Sequence, residues 1–139
     1  MIDWVVKYIG LEFAEKGRVD FFDCWGLVRH IYLEEYNTEL PSYLDCYKHT
    51  KESDVLGSLI SSESDKWEAV KIGCEEIGDV IVLRMRGQPM HVGIVVGDNK
   101  FLHISDGINS AIEDYKSFRW RDRVIGYYRH GDIQRNGST

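Results

Sequence analysis

A cysteine and two histidines are the residues of this chain whose types and order could support covalent catalysis. Cys24 lies in the segment FDCWGLV, where a thiol begins an apolar stretch, and His91 and His103 lie on two later segments with strand character. The thiolate is the reactive form of cysteine, and the positive end of a helix dipole favours it. Because such catalysis needs a nucleophile, a base and a group that orients the base, we predict these three roles for Cys24, His91 and His103.

Each of these residues also has an ordinary structural interpretation. Free cysteine is among the most buried residue types, so Cys24 could simply fill the core at the start of a helix. A single strand histidine is more often a hydrogen-bonded structural residue than a catalyst. Zinc could use the same three side chains, but no closely spaced pair of ligands is present to anchor a zinc site. The three residues together favour nucleophilic catalysis without a metal or another cofactor.

The helix that would carry Cys24 is the clearest element in the sequence. Its apolar residues recur with helical spacing at positions 27, 28, 31 and 33. Asp23 is a good N-cap, and Asn37 is a typical stop signal. Weaker helical patterns occur at residues 3–8 and 53–61. We therefore expect Cys24 to lie at the N-terminus of a helix that packs on the rest of the fold.

The second half of the chain has the pattern of strands. After Gly78 and Asp79 we predict strands at residues 80–85, 91–96, 100–105 and 124–129, separated by turns rich in glycine, proline, asparagine and aspartate. Helices followed by strands with short connections indicate an α+β fold with an antiparallel meander.

The two histidines can meet only if their strands pair in the right register. In HVGIVVG, alternation places His91, Gly93 and Val95 on one face, and Gly93 leaves space for a side chain from the neighbouring strand. A three-residue turn over 97–99 would set His103 opposite Gly93 on that face. A two-residue turn at 98–99 would instead place the histidines on opposite faces, so this turn decides the site.

Composition limits the number of domains and the classes of partner. The 139 residues fit one domain, which we expect to span 1–130, with a flexible tail at 131–139. A net charge of -6 argues against nucleic acid as the main partner. Three cysteines without paired spacing indicate a reducing compartment at synthesis. The N-terminal sequence shows neither a signal peptide nor a membrane span.

Three segments of the chain resemble the NlpC/P60 cysteine peptidases, which cut peptidoglycan stem peptides. FDCWGLV is similar to the nucleophile segment of that family, Gly78-Asp79 followed by VIVL to its first central strand, and HVGIVVGDNKFLHIS to its paired histidine strands. The resemblance implies a papain-like α+β fold with N-terminal helices packed on a central antiparallel sheet. It also implies that Cys24 is the nucleophile, His91 the general base and His103 the residue that orients it.

The resemblance extends to cell-wall peptidases and tail assembly proteins of long-tailed phages. GLEF before the nucleophile, LPSY at 40–43, Trp25 and the segment WRDRVIGYYR all look like that branch. It implies cleavage between γ-D-glutamate and a diamino acid, with peptidoglycan and other tail-tip proteins as partners. The protein would then act from the virion tail tip at the host cell wall. The alternative is a structural or assembly component of a tail tip whose cysteine site is idle or used once.

Further residues have candidate roles around the predicted site. Trp25, Asp23 and Arg84 are candidates for substrate binding, although Trp25 could equally pack in the core and Asp23 is most simply the helix cap. Arginine would suit the free carboxylates of a stem peptide, and Arg84, Arg86 and Arg29 are the candidates for that contact. Phe13 stands where many cellular members of the family have a tyrosine, which leaves the oxyanion to backbone N–H groups. Asp106 could replace His103 as the orienting group.

Overall fold

The structure combines one packed helix layer with a six-stranded antiparallel sheet. The computed structural model describes residues 3–13, 23–40, 66–85, 88–105 and 107–131. Within these ranges a 3₁₀ helix (Asp3–Tyr8) and helix α1 (Cys24–Tyr36) precede the strands. The strands are β1 (Trp67–Val70), β2 (Val80–Met85), β3 (Gln88–Gly97), β4 (Lys100–Ser105), β5 (Ile108–Asp114) and β6 (Val124–His130). This arrangement confirms the predicted α+β fold.

The order of strands in the sheet is β1-β6-β2-β3-β4-β5, and every neighbouring pair is antiparallel. Strands β2, β3 and β4 form the predicted meander, β5 extends it by one strand, and β6 returns to lie between β1 and β2. The four predicted strands are present. Two strands were missed, because β1 is a four-residue edge strand and β5 contains Asn109 and Ser110, which disfavour a strand assignment. The predicted helix at 53–61 and residues 132–139 lie outside the described residues.

Helix α1 begins and ends at the predicted residues. Asp23 has extended backbone angles, and its Oδ1 atom accepts a hydrogen bond from the amide of Gly26 at 2.6 Å, which satisfies one of the unpaired N–H groups of the first turn. Asn37 ends the helix in the left-handed conformation with φ 49°. No helix in the described part of the chain is long and apolar enough to cross a membrane.

Apolar side chains cover both faces of the sheet. On one face, residues of α1 such as Leu27 and Ile31 pack against alternate residues of β2, β3 and β4, including Val92 and Ile94. The second cluster lies on the other face and consists of Ile81, Leu83, Val95, Phe101, Tyr115, Trp120 and Tyr127. Alternation along β3 therefore places His91 on the second face, as predicted.

The turn between β3 and β4 differs from the predicted one. Gly97 pairs with Lys100, so the turn has two residues, Asp98 and Asn99, with positive φ angles of 54° and 61°. The predicted three-residue loop was therefore wrong. The register shifts between Val95 and Gly97, where β3 has one residue more than β4. This extra residue has the same effect on the pairing as a loop that is one residue longer.

The register shift restores the predicted pairing of the histidine strands. Ile94 lies opposite Leu102, so the next position along β3, Gly93, lies opposite His103. The expectation that a two-residue turn would separate the histidines was wrong for the same reason, since it assumed a regular ladder up to the turn.

Candidate active site

His91 and His103 form a buried hydrogen-bonded pair on β3 and β4. Nε2 of His91 lies 2.8 Å from Nδ1 of His103, and the two residues are 0% and 3% exposed. Gly93 makes this approach possible, because a Cβ atom there would lie 2.8 Å from the carbonyl oxygen of Leu102 and 3.1 Å from Cβ of His103. The predicted meeting of the two side chains is confirmed.

Aromatic rings surround the histidine pair on its face of the sheet. Trp120 stacks on His91 with an interplanar angle of 19° and meets the ring of His103 edge-on at a centroid distance of 5.3 Å. Phe101 covers another side of His103 at 4.5 Å. These rings offer few polar partners, so the imidazoles lie in a largely apolar environment.

Burial keeps both imidazoles neutral. It lowers the pKa of His91 to about 3, and the neighbouring His103 adds to the shift. Burial also lowers the pKa of His103, although the hydrogen bond to Glu113 opposes that shift. At pH 7 each ring therefore has one N–H donor and one nitrogen lone pair.

A carboxylate lies on the far side of His103. Nε2 of His103 is 2.5 Å from Oε2 of Glu113, and the other carboxylate oxygen accepts hydrogen bonds from Trp120 Nε1 at 2.9 Å and Arg119 at 3.3 Å. Burial would raise the pKa of the Glu113 carboxyl, but the hydrogen bonds from Trp120 and His103 outweigh it and hold that pKa below its ordinary value. Glu113 is therefore ionised at pH 7 and can only accept hydrogen bonds.

Glu113 was not predicted from the sequence, because its strand was not recognised. Asp106, the carboxylate that the sequence offered as an alternative orienting group, lies outside the described residues. Once β5 is paired with β4, Glu113 lies opposite Phe101 and Ala111 lies opposite His103, so Glu113 shares a face with His103. Recognition of that hairpin is the signal that would have identified it.

One nitrogen of the histidine pair is left without a partner. Among the residues that the structure describes, Nδ1 of His91 makes no hydrogen bond although it is buried. Most buried polar atoms in folded proteins are hydrogen-bonded, so an unpaired one indicates a functional role or an absent partner.

Cys24 is the first residue of α1 and is 5% exposed. It belongs to the apolar cluster between α1 and the sheet, and α1 packs against β3 and β4, the two strands that carry the histidines. The structure brings the two imidazoles together, and the meeting of the Cys24 thiol with His91 stays a prediction.

The candidate substrate-binding residues occupy different environments. Trp25 is buried against Trp67 at a centroid distance of 6.5 Å, which fits the packing alternative, and Asp23 is buried as the cap of α1. Arg84 is exposed on β2. A part in substrate binding stays a prediction for all three. Phe13 is half-buried against the same cluster as Cys24.

Comparison with known proteins finds one family and several relatives. The sequence model of the NlpC/P60 family matches residues 11–129. Over 122 residues the chain is 27% identical to the murein DD-endopeptidase MepS/murein LD-carboxypeptidase of Escherichia coli K12, covering 87% of this chain and 54% of the relative. It is 25% identical over 123 residues to tail tip assembly protein K of Escherichia phage N15, covering 83% and 47%. The chain thus spans about half the length of these curated relatives.

Solved structures share the fold at low sequence identity. The NlpC/p60 domain of the peptidoglycan hydrolase SagA aligns with a TM-score of 0.62 at 19% identity, covering 89% of this chain and 91% of that one. An NLP/P60-family protein similar to lipoprotein from Staphylococcus aureus gives 0.61 at 24%, covering 90% and 38%. NlpC2 from Trichomonas vaginalis gives 0.60 at 23%, covering 91% and 43%. These likenesses confirm the predicted papain-like fold.

Proposed function

We propose, from the premise that this chain belongs to the NlpC/P60 family, that it is a cysteine peptidase that cleaves peptidoglycan stem peptides. Cys24 is the nucleophile, His91 the base and His103 the residue that orients the base. The observation that carries the proposal is the buried His91–His103 pair, in which Nδ1 of His91 has no hydrogen-bond partner among the residues that the structure describes.

The proposed chemistry is acyl transfer to sulfur followed by hydrolysis. Nδ1 of His91 takes the proton of the Cys24 thiol as the sulfur attacks the peptide carbonyl. The amide bond then breaks, and the leaving amine takes that proton from His91. Water, deprotonated by the same nitrogen, attacks the thioester, releases the acid and restores the thiol.

The oxyanion of each tetrahedral intermediate needs N–H donors near the start of α1. Asp23 already accepts from the amides of Gly26 and Leu27, through its side chain and its carbonyl oxygen. We assign the oxyanion to the amide of Cys24 and its neighbours. Phe13 has no hydroxyl to add, so backbone donors have more of the charge to stabilise.

The proposed substrate bond joins γ-D-glutamate to a diamino acid. Arg84 is exposed on the strand next to β3, where its neighbour Leu83 pairs with His91, so its guanidinium is a candidate to bind a stem-peptide carboxylate. The relative MepS is named for two other bonds, a D,D-endopeptide bond and an L,D-carboxypeptide bond. The test must therefore distinguish all three.

The test uses purified peptidoglycan and defined muropeptides, with fragments identified by mass spectrometry. We expect the wild-type protein to release a new amino group at the γ-D-glutamyl bond, Cys74→Ala to match it and Cys24→Ala to release none. Fragments released by cleavage of the D,D or the L,D bond would support the proposed peptidase activity but assign it to a different bond. Equal product from wild type and Cys24→Ala would rule out catalysis by this thiol.

A second function is favoured by the phage relative. Tail tip assembly protein K is similar over most of this chain, so the domain is also a candidate tail-tip component, made in the bacterial cytoplasm and acting at the host wall from the virion. As an assembly protein with an idle site it would release no product as wild type or as Cys24→Ala. A Cys24→Ala phage that assembles normal tails but penetrates the wall poorly would support the enzymatic role within the tail tip.

A further inference from the structure

We infer that Glu113 is a positioning residue that fixes the tautomers of both histidines and thereby makes Nδ1 of His91 the basic nitrogen. The catalytic consequence rests on the proposed function, whereas the tautomers themselves are a property of the folded protein.

The first step follows from the chemistry of the carboxylate. An ionised carboxylate can only accept hydrogen bonds, so the contact of 2.5 Å between Oε2 of Glu113 and Nε2 of His103 requires a proton on that nitrogen. In a neutral ring the other nitrogen, Nδ1 of His103, then has a lone pair and must act as an acceptor.

The second step transfers this constraint to His91. Nδ1 of His103 lies 2.8 Å from Nε2 of His91, so Nε2 of His91 must donate to it. A neutral His91 with a proton on Nε2 has an unprotonated Nδ1. That nitrogen is a buried side-chain atom without a hydrogen-bond partner among the described residues. Glu113 thus sets the donor and the acceptor in both hydrogen bonds of this network, the one between Glu113 and His103 and the one between His103 and His91.

Two further donors hold the Glu113 carboxylate in position. Trp120 donates to Oε1 at 2.9 Å, while its ring packs against both imidazoles, and Arg119 donates to the same oxygen at 3.3 Å. The second oxygen is therefore directed at His103. Because its hydrogen bond in this network is to His103, Glu113 acts on His91 through the ring of His103.

An amide at position 113 would remove the constraint. The Gln side chain can donate as well as accept, so Glu113→Gln permits the reverse chain, in which Nδ1 of each histidine carries the proton. In that arrangement Nδ1 of His91 is not a base. Asp114→Asn is the matched control, because it makes the same change of charge one residue away, at an exposed carboxylate that pairs with Lys100.

The direct test is nitrogen-15 NMR of the histidine rings at pH 7. We expect wild type and Asp114→Asn to show Nε2 protonated and Nδ1 bare in both rings, and Glu113→Gln to show the reverse or a mixture. A wild-type His91 with its proton on Nδ1 would overturn the inference, even if no variant folds. Unchanged tautomers in a folded Glu113→Gln protein would overturn it as well.

The kinetic test uses whichever stem peptide the wild type cleaves. In a serine hydrolase, an amide in place of the orienting carboxylate lowers kcat about 10⁴-fold through the wrong tautomer; since Glu113 acts one ring further away, we expect a loss of about 10- to 100-fold in kcat with little change in KM. Removing the negative charge also lowers the pKa of His103, so the acid limb of the rate profile should move to lower pH. A loss of rate without that movement would indicate a merely structural role.

The two sets of results separate this inference from the proposed function. Because NMR requires no turnover, correct tautomers in a protein that cleaves nothing would refute the peptidase and leave the role of Glu113 in place. Cleavage by a wild-type protein with reversed tautomers would refute the role of Glu113 and leave the peptidase.

Discussion

The imidazole of His91 combines complete burial with one nitrogen that has no hydrogen-bond partner in the described part of the chain, and both properties come from its place on β3. Its Nε2 atom is occupied by His103, and Trp120 covers its ring. Since its pKa is lowered to about 3, the resting state under the proposed mechanism is a neutral imidazole beside a thiol. The proton then moves during attack and not before it, so proton transfer is part of the barrier.

A reactive thiol should be identifiable before any substrate is known. We expect iodoacetamide at pH 7 to alkylate Cys24 about tenfold or more faster than the exposed Cys74, because His91 can take the Cys24 proton during attack, whereas Cys74 reacts only through the few per cent of thiolate present at that pH. Peptide mass spectrometry over a time course measures both rates. The preference should disappear in His91→Ala. Equal alkylation rates for Cys24 and Cys74 in the wild type, measured with fully active reagent, would contradict activation of Cys24.

The lowered pKa of His91 also predicts how stability depends on pH. The unfolded chain binds a proton on this ring below about pH 6.5, whereas the folded chain binds it only near 3, so the free energy of unfolding must fall as the pH falls between these values. Each pH unit in this window should reduce the folding equilibrium constant by about tenfold per proton. Urea unfolding from pH 4 to 7 should show a shallower slope for His91→Gln. Parallel curves for the two proteins would show that the ring is not buried as a neutral group.

At the scale of elements, the pairing of β3 with β4 determines whether the site exists. The two-residue turn at Asp98 and Asn99 alone would place the histidines on opposite faces, and the irregularity before Gly97 compensates for it. Gly93 then allows the backbone of β4 and the side chain of His103 to approach closely. The site depends on these local features of one hairpin.

A methyl group at Gly93 should therefore damage the site through the hairpin. Its Cβ would lie 2.8 Å from the carbonyl oxygen of Leu102 and 2.9 Å from the ring of Phe101, distances that require β4 to move. We expect Gly93→Ala to destabilise the fold by about 1–3 kcal/mol and to break the His91–His103 hydrogen bond. Gly126→Ala is the control, because the nearest atom to its Cβ is a Tyr128 ring carbon at 3.9 Å.

Thermal unfolding and histidine NMR measure the two effects of Gly93→Ala separately. A variant that keeps wild-type stability and an intact histidine hydrogen bond would show that β4 can shift without a loss of stability. The close approach at Gly93 would then be incidental to the site.

At the scale of the whole molecule, an ion pair and a hydrogen bond at the Gly78-Asp79 segment connect helix α1, strand β2 and strand β6. Arg129 of β6 donates from Nε and Nη2 to the two oxygens of Asp79, each at 2.9 Å, and Asp79 is 0% exposed just before β2. The hydroxyl of Tyr32, on α1, donates to the carbonyl oxygen of Gly78 at 2.6 Å. The Gly78-Asp79 segment thus connects α1, β2 and β6, and helps to hold the helix that begins at Cys24.

Loss of the arginine should leave a buried carboxylate without its partner. We expect Arg129→Met to lower the free energy of unfolding by about 3–5 kcal/mol, as for other broken buried pairs. Chemical denaturation measures it, with the exposed Arg121→Met as the matched control. The double variant Asp79→Asn/Arg129→Met should recover part of the loss, because the uncompensated charge is gone. A double variant less stable than Arg129→Met would assign the loss to packing and not to charge.

Features that depend on neighbours along the chain were predictable from the sequence. Asp23 and Asn37 delimit α1 because capping involves residues within one turn, and the four long strands follow from alternation. The face shared by His91 and Gly93 follows from the same period of two. Those local patterns, with the three motifs, determined the fold class and the candidate residues.

Features that depend on how the strands pair and which side chains are buried were decided only by the tertiary structure. The irregular pairing before Gly97 sets the register of the histidines, and the pairing of β5 with β4 brings Glu113 to His103. The neutrality of His91 comes from burial beneath Trp120, which is distant in the chain. Strand register and desolvation are properties of the packed molecule, so no local pattern could have specified which nitrogen of His91 is left to accept a proton.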